Sequence, residues 1–420
     1  MRIAVVAPLF ETVPPTKYGG TERVVHFIVE GLVRLGHTVT LYAAGGSQTS
    51  ARLVECSPYC FRELGIRDFS EESEQAYLAQ LQLALSSKHD HDVVHVHQGT
   101  YQYQLPVLEA NRVSPVVWTD HNAIDTGDKP EIFDAMAKLG IGLTGLSDSH
   151  RNTVPDANWL ATIHHGLPAN MLRPSESAPS YLAFLGRISP EKGITTAVRI
   201  SEAGGHELKV AAKVDQVNLA FYENEVKPLF AESNVDLIGE ISEEEKGPFL
   251  SKAKALVFPI RWKEPFGLVM IEAMACGCPT IAFRMGSVAE IIEHGVTGFV
   301  VDTEEEAIEA LRHIERLDRK RIRQRFEERF TATTMAQKYV EVYERVIQQA
   351  KIMKEAKQIM GNINLQQVQT PNVETTPADV DHLRAELMAS YHHGPAFKDT
   401  LPQYILPRPA VSRQVSANVA

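Results

Sequence analysis

Hydrophobic positions recur along this chain in two rhythms. Short β-branched runs alternate with longer stretches whose apolar residues return every three or four positions. Ile3 to Ala7, closed by Pro8, reads as a buried parallel strand. Similar runs follow at 38–44 (TVTLYAA), 92–97 (DVVHVH), 114–121 (SPVVWTDH) and 142–147 (GLTGLS). Between the first strand and a helix expected from about Glu22 lies the turn-rich ETVPPTKYGGTE. There Gly19 and Gly20 precede Thr21, a residue suited to cap the periodic VVHFIVEGLVRLG. Strand, glycine loop and helix in that order predict βαβ units.

The rhythm breaks after WLATIHHGLP, where NMLRPSESAPSY is polar and turn-rich, and restarts at Tyr181. YLAFLG, ELKVAAK (207–213), VDLIGE, KALVFPI (254–260), PTIAF (279–283) and GFVV then alternate with helical candidates. Two doubly wound α/β units in tandem are the simplest account, with domains at 1–168 and 176–330. From Ala307 to about Ile352 the pattern is amphipathic and helical, and its last part, 331–352, reads as a separate C-terminal helix. RHIERLDRKRIRQRFEER (312–329) holds eight Arg/Lys against four Asp/Glu, the composition of a solvated helix face. The stretch 365–420 mixes Gln, Thr, Pro and Ser with little periodicity and is expected to be largely disordered apart from a helix at DHLRAELMASYHH.

Composition narrows the function classes. At 420 residues, with 44% hydrophobic and 23% charged residues, the chain is long and apolar enough for more than one core. No apolar run approaches the ~20 residues of a membrane span. A net charge of -11 argues against a non-specific nucleic-acid binder, so any anionic partner must be met locally. MRIAVVAPLF reads as a strand and not as a signal peptide, and four cysteines suit a reducing compartment, so a cytoplasmic location is expected.

Three segments carry candidate chemistry. Glu264 and Glu272 bracket EPFGLVMIE at a loop-helix boundary; a helix spanning both would put their carboxylates within about 80° of one face. The start of that helix offers free N–H groups to an anion or a hydroxyl-rich ligand. Arg187 and Lys192 of GRISPEKG follow the strand YLAFL, at the carboxyl edge where ligands of open α/β sheets bind, and two cations there suit a diphosphate. The glycine loop at Gly19 and Gly20 would face the same cleft. Taken singly, each segment is equally an ordinary buried helix or a solvated turn.

GRISPEKG and EPFGLVMIEAMACGCPTIAFRMGSVAEII together resemble the signature of retaining family 4 glycosyltransferases (glycosyl transferases group 1), over about residues 1–350. The resemblance implies the GT-B fold, two Rossmann-like doubly wound parallel-sheet domains facing across a cleft, with a C-terminal helix packing back on the first domain. It implies a hexosyltransferase acting on a nucleotide sugar and a hydroxyl acceptor in glycan, glycolipid or small-molecule glycoside synthesis; because Arg187 and Lys192 can supply the diphosphate countercharge, catalysis without a metal or other cofactor is expected. UDP-glucose is the first expectation and GDP-mannose the second. By position, Arg187 and Lys192 would bind the diphosphate, Glu272 the ribose hydroxyls, and Glu264 the transferred sugar, helped by the backbone of Phe266, Gly267 and Leu268. Gly19 and Gly20 match the loop that closes over the phosphates, and His121 matches a histidine beside the donor sugar. HHGLP at 164–168 stands where many relatives have Asn-Gly-Val-Asp, and Asn122 where many have glycine, so acceptor and base contacts stay open.

The remaining candidates weigh less. His89, His91, His95 and His97 suggest a metal cluster, but only His95 and His97 share a strand face. Asp90 and Asp92 precede a strand where a metal-binding Asp-x-Asp would follow one. Cys56, Cys60, Cys276 and Cys278 read as packed thiols more than as a zinc site. The basic helix makes weak peripheral membrane contact a minor expectation, because the first 180 residues hold 13 Arg/Lys against 20 Asp/Glu. An epimerase or phosphorylase of the same fold, and a non-catalytic sugar-nucleotide sensor, are the rival readings. Oligomeric state is not legible.

Overall fold

Period-two alternation decides how the first sheet is buried. In β1 (Arg2–Val6), Ile3 and Val5 enter one apolar cluster while Ala4 and Val6 enter another on the opposite face. A computed structural model describes residues 1–16, 19–66, 70–86, 91–99, 104–105, 107–108, 114–124 and 130–367. On one side of β1 lie β2 (Thr38–Ala44) and β3 (Arg52–Ser57). On the other lie β4 (Val93–Val96), β5 (Val116–Thr119), β6 (Gly142–Gly145) and β7 (Trp159–Thr162). The order is β3-β2-β1-β4-β5-β6-β7 and every pairing is parallel.

The second lobe repeats the scheme. Tyr181, Ala183 and Leu185 of β8 (Tyr181–Arg187) face the cluster shared with the first lobe, and Leu182 and Phe184 face the other side. With β9 (Leu208–Lys213), β10 (Val235–Leu237), β11 (Ala253–Phe258), β12 (Thr280–Phe283) and β13 (Gly298–Val301), the order is β10-β9-β8-β11-β12-β13, again all parallel. Two Rossmann-like doubly wound lobes face each other, as the sequence leads one to expect. All six runs read as strands in the second half are strands. In the first half β3 and β7 were not anticipated. Both are edge strands with half-buried residues and none fully buried, so they lack the continuous apolar signal of the central ones.

The C-terminal portion departs from a continuous helix. It breaks into Glu304–Leu311, Arg319–Arg329 and Ala332–Gln367, joined through a short 3₁₀ turn at Ile314–Arg316. Thr303 and Asp318 restart the chain by capping the N-termini of the first two helices with their side chains. The last helix runs on to Gln367, beyond the expected Ile352; residues 368–420, which include most of the stretch read as disordered, lie outside the described residues. Ala336, Tyr339 and Tyr343 of this helix are buried, and Tyr343 Oη lies 2.6 Å from His95 Nδ1 in β4, so the helix rests on the first sheet.

The basic Arg319–Arg329 helix is not simply a solvated face. Arg319 donates to the carbonyls of Ser251 and Ala253, and Arg323 to those of Ala169, Leu172 and Ala275. Arg329 reaches Glu290 O at 2.5 Å. Ser251 and Ala275 end their helices, so these guanidiniums satisfy carbonyls that helix termini leave open. Among the described residues no helix is long and apolar enough to cross a membrane.

Candidate active site

Because all strands are parallel, the loops after their carboxyl ends gather along one edge of each sheet. Strand order reverses between β1 and β4 and between β8 and β11, where ligand crevices form in such sheets. Gly19 and Gly20 follow β1, His121 follows β5, Arg187 ends β8 with Lys192 just beyond, and Glu264 follows β11. These loops meet around a cavity of about 550 Å³. Arg187, Lys192, Glu264, His121, Gly19, Gly20, Phe266, Gly267, Leu268 and Glu272 all line it, so the structure brings together every residue that the resemblance assigns to the donor site.

The helix starts at this cavity share one property. The helix Gly20–Arg34 is capped by Gly19 and not by Thr21 as expected, the helix Ile194–Ala203 by Gly193, and the helix Leu268–Ala275 by Gly267. None of the three has a side-chain capping hydrogen bond. The helix Glu71–Leu85, by contrast, is closed by a Ser70 capping box. Glycine caps leave first-turn N–H groups open to a ligand. Gly19 (φ 141°) and Gly267 (φ 78°) hold backbone angles that side chains disfavour. A Cβ at Gly19 would also meet Pro15 Cβ at 2.7 Å, and one at Gly267 would meet Met270 Cε at 2.8 Å.

The two glutamates do not share a helix face. The helix begins only at Leu268, leaving Glu264 in the preceding loop, where Pro265 and Gly267 break helical geometry. Glu264 Oε2 accepts from Lys192 Nζ at 2.6 Å and from Trp262 Nε1 at 2.9 Å. The Lys192 ammonium also sits 5.1 Å above the Trp262 ring. Ser147 of the first lobe donates to Pro265 O at 2.7 Å and Ser287 to Phe266 O at 2.8 Å, pinning this loop from both sides. Glu272, 2% exposed, pairs with Lys246 at 2.8 Å. Lys246 also meets Glu243 at 2.5 Å, and Glu243 meets Arg23 of the first lobe at 3.2 Å. Burial opposes the Lys246 charge, but Glu272 and Glu243 outweigh it and hold its pKa above the ordinary value. Arg187 lies 3.4 Å from Glu191 and 3.7 Å from Asp215.

The histidines of the first lobe contribute uncharged groups. His97 Nδ1 lies 2.9 Å from His121 Nε2, and the His121 ring stacks on His165 at 5.1 Å between centroids. Burial, with smaller repulsion from neighbouring imidazoles, pushes His121 down to about 3 and His95, His97 and His165 well below the ordinary histidine value. These rings are therefore neutral at pH 7. Nearer the glycine turn, burial and then the charge of Glu11 push the Glu22 carboxyl up to about 7, while Glu11 itself pairs with Arg62.

Sequence reasoning missed Glu22, Arg23, Glu243, Lys246, Trp262 and His165, all of which line the cavity. Only Trp262, two residues before Glu264, and His165, inside the divergent HHGLP, carried any local signal. The metal alternatives do not assemble: His95 bonds Tyr343 and Thr119, His91 bonds Tyr42, and Asp92 pairs with Arg2 at 2.7 Å. His89 and Asp90 lie outside the described residues. Among the described residues no three His, Cys, Asp or Glu side chains come together as metal ligands, and all four cysteines are free thiols.

Comparison with known proteins matches both lobes to family models. The model for Glycosyltransferase Family 4 covers residues 18–173, and that for Glycosyl transferases group 1 covers residues 173–331. N-acetyl-alpha-D-glucosaminyl L-malate synthase of Bacillus anthracis is 33% identical over 135 residues, 30% of this chain and 34% of that protein. In the first two curated relatives the match spans about a third of their own length. Among solved structures, AviGT4, a glycosyltransferase of avilamycin A biosynthesis, superposes with a TM-score of 0.63 at 24% identity, over 83% of this chain and 98% of that one. Anabaena HepE in complex with UDP-glucose superposes with a TM-score of 0.62 at 18% identity, over 82% and 100%. These likenesses are likenesses of fold, and the fold is GT-B.

Proposed function

The chain belongs to the family 4, group 1 glycosyltransferases, and on that footing we propose that it moves a hexose from a nucleoside-diphosphate sugar to a hydroxyl acceptor, with retention of anomeric configuration. The observation that carries this reading is the convergence of the glycine turn, the cationic loop and the glutamate loop on one cavity between the lobes. Cleavage of the donor builds negative charge on the leaving diphosphate and oxocarbenium character on the sugar. Arg187, Lys192 and the open amides behind Gly19 face the first of these. Glu264, held by Lys192 and Trp262, orients the sugar hydroxyls, and Glu272 takes the ribose. The leaving phosphate helps to deprotonate the acceptor on the same face, and countercharge comes from side chains and amides without a metal ion.

UDP-glucose is the first donor to test and GDP-mannose the second; the UDP-glucose complex of a fold neighbour, Anabaena HepE, supports that order. The acceptor belongs to glycan, glycolipid or small-molecule glycoside synthesis. A thermal-shift screen over sugar nucleotides tests the donor, because a ligand at about 100 times its Kd stabilises by about 2.7 kcal/mol. Product analysis with and without acceptor alcohols then separates transfer from epimerisation or phosphorolysis. A transferred hexose with retained configuration is the expected outcome, and failure of every sugar nucleotide to bind would remove the reading.

A further inference from the structure

Two kinds of contact cross between the lobes. Glu290 accepts from the Asp148 and Ser149 amides at 2.7 and 2.8 Å, and Ser147 donates to Pro265 O, so these contacts fix backbone. The other kind is made of side-chain charges. Arg23, Glu243, Lys246 and Glu272 form a chain of alternating sign, with steps of 3.2, 2.5 and 2.8 Å, and all four line the cavity. Its first-lobe end is tied to the glycine turn, because the Arg23 N–H bonds to Gly19 O at 3.1 Å. A Cβ on Gly20 would lie 3.8 Å from Leu268 Cδ1, at the start of the helix that carries Glu272. Both ends of the chain are buried, the Arg23 side chain 8% and the Glu272 side chain 3% exposed. Solvent therefore screens it far less than a surface pair such as Arg284 with Asp302.

We infer that Glu243 is a positioning residue for nucleotide binding: it holds Lys246 against Glu272 on one side and the Arg23 guanidinium of the first lobe on the other, so that the carboxylate proposed for the ribose is set only when the lobes stand together. The inference rests on the function proposed above and adds the residues that orient its ribose carboxylate. Glu243 opens the helix Glu243–Ser251 and Lys246 stands three residues on, on the same face. The ammonium has three N–H donors and gives to both carboxylates. A carboxylate has about four acceptor sites, so Glu272 keeps room for a hydroxyl pair after Lys246 takes one through Oε1. With Glu243 gone, the ammonium is left to Glu272 alone and competes with the ribose hydroxyls for its oxygens. With Arg23 gone, Glu243 loses its cross-lobe cation and draws Lys246 away from Glu272. Both losses reach the nucleotide through its ribose and leave the cations Arg187 and Lys192 in place.

Calorimetric titration of the full chain with UDP and GDP, and with the 2′,3′-dideoxy form of whichever binds, tests this. The wild type should hold the ribose form more tightly than the dideoxy form. Glu243→Gln keeps the size of the side chain and removes its charge; it should weaken the ribose nucleotide about tenfold and leave the dideoxy nucleotide nearly unchanged. Arg23→Gln should act in the same way from the other lobe, and Arg23→Lys, which keeps the cation, should recover most of the affinity; thermal melts confirm that each variant folds. An equal loss for both nucleotides, or full ribose affinity in either Gln variant, would overturn the inference and leave the chain as packing between the lobes. A wild type that binds a nucleotide without telling ribose from dideoxyribose would overturn it too, together with the ribose role of Glu272. A wild type that binds neither UDP nor GDP would overturn the underlying functional reading and this inference with it.

Discussion

The histidine stack of the first lobe and the ion pairs of the second solve the problem of buried polarity in opposite ways. His95, His97, His121 and His165 enter the interior by giving up charge, and burial holds them neutral. Lys192, Glu264, Lys246 and Glu272 keep charge and enter as pairs, at 2.6 Å and 2.8 Å. The difference has a chemical consequence. A neutral wall has no charge to share with a ligand, whereas a paired wall must share its cations with an incoming anion. Lys192 has three N–H donors, so it can keep Glu264 and still turn one toward a phosphate oxygen. On the proposed function, the same lysine would link the carboxylate proposed for the sugar with the leaving group.

This contrast can be broken at four places, in descending size of effect. Replacing Lys192 or Arg187 by alanine removes charge from the place proposed for the leaving diphosphate, and on that proposal should lower the transfer rate by about a hundredfold to a thousandfold, read from nucleoside-diphosphate release. An unchanged rate would remove both residues from that role. Lys246→Ala strips the cation from Glu272 and Glu243 and should cost about 4 kcal/mol in urea unfolding, because it leaves a buried carboxylate unpaired. A cost under about 1 kcal/mol would mean that solvent replaces the lysine.

Glu22 gives the third effect. Its carboxyl holds a proton up to about pH 7 in the folded chain, against an ordinary value of 4.5, so between these limits the folded state binds more protons than the unfolded. Stability then falls as pH rises through that window, by on the order of 3 kcal/mol. Glu22→Gln should therefore be the more stable protein at pH 8 and no more stable than wild type at pH 4. Equal stabilities at pH 8 would show that Glu22 is ionised without penalty.

The fourth effect runs the other way. His121 folds with its pKa near 3, against an ordinary 6.5, so the unfolded chain binds the extra proton as pH falls, and stability is lost below about 6.5. At pH 5 the loss from His121 alone is about 2 kcal/mol. Hydrogen exchange at pH 5 and pH 7, corrected for intrinsic rates, should show β4 and β5 losing protection before β8 and β11. Uniform loss across both sheets would contradict the contrast between the lobes.

The sequence exposed the second lobe more fully than the first. Every strand of β8–β13 was legible as a short run between turn residues, the exposed edge strand β10 among them, while the edge strands β3 and β7 escaped; β3 carries Arg52, Glu55 and Ser57 along its run. The site was legible where chemistry is local: GRISPEKG and EPFGLVMIE each carry their residues within one loop. It was not legible where partners come from afar, as with Lys246 reaching Glu272 across 26 positions or Arg23 reaching Glu243 across the lobes. His165 was visible only as a departure from commoner family wording, and its place beside His121 needs the fold to be seen. The glutamate spacing misled in one respect, since Pro265 and Gly267 delay the helix and send the two carboxylates to different lysines.

Titration of UDP and GDP into the wild type, Arg187→Ala and Lys192→Ala bears most directly on whether these cations grip a pyrophosphate between the lobes. One of the two nucleotides should bind the wild type, and each substitution should weaken it by tenfold or more, about 1.4 kcal/mol. Equal affinity in all three proteins would contradict the account.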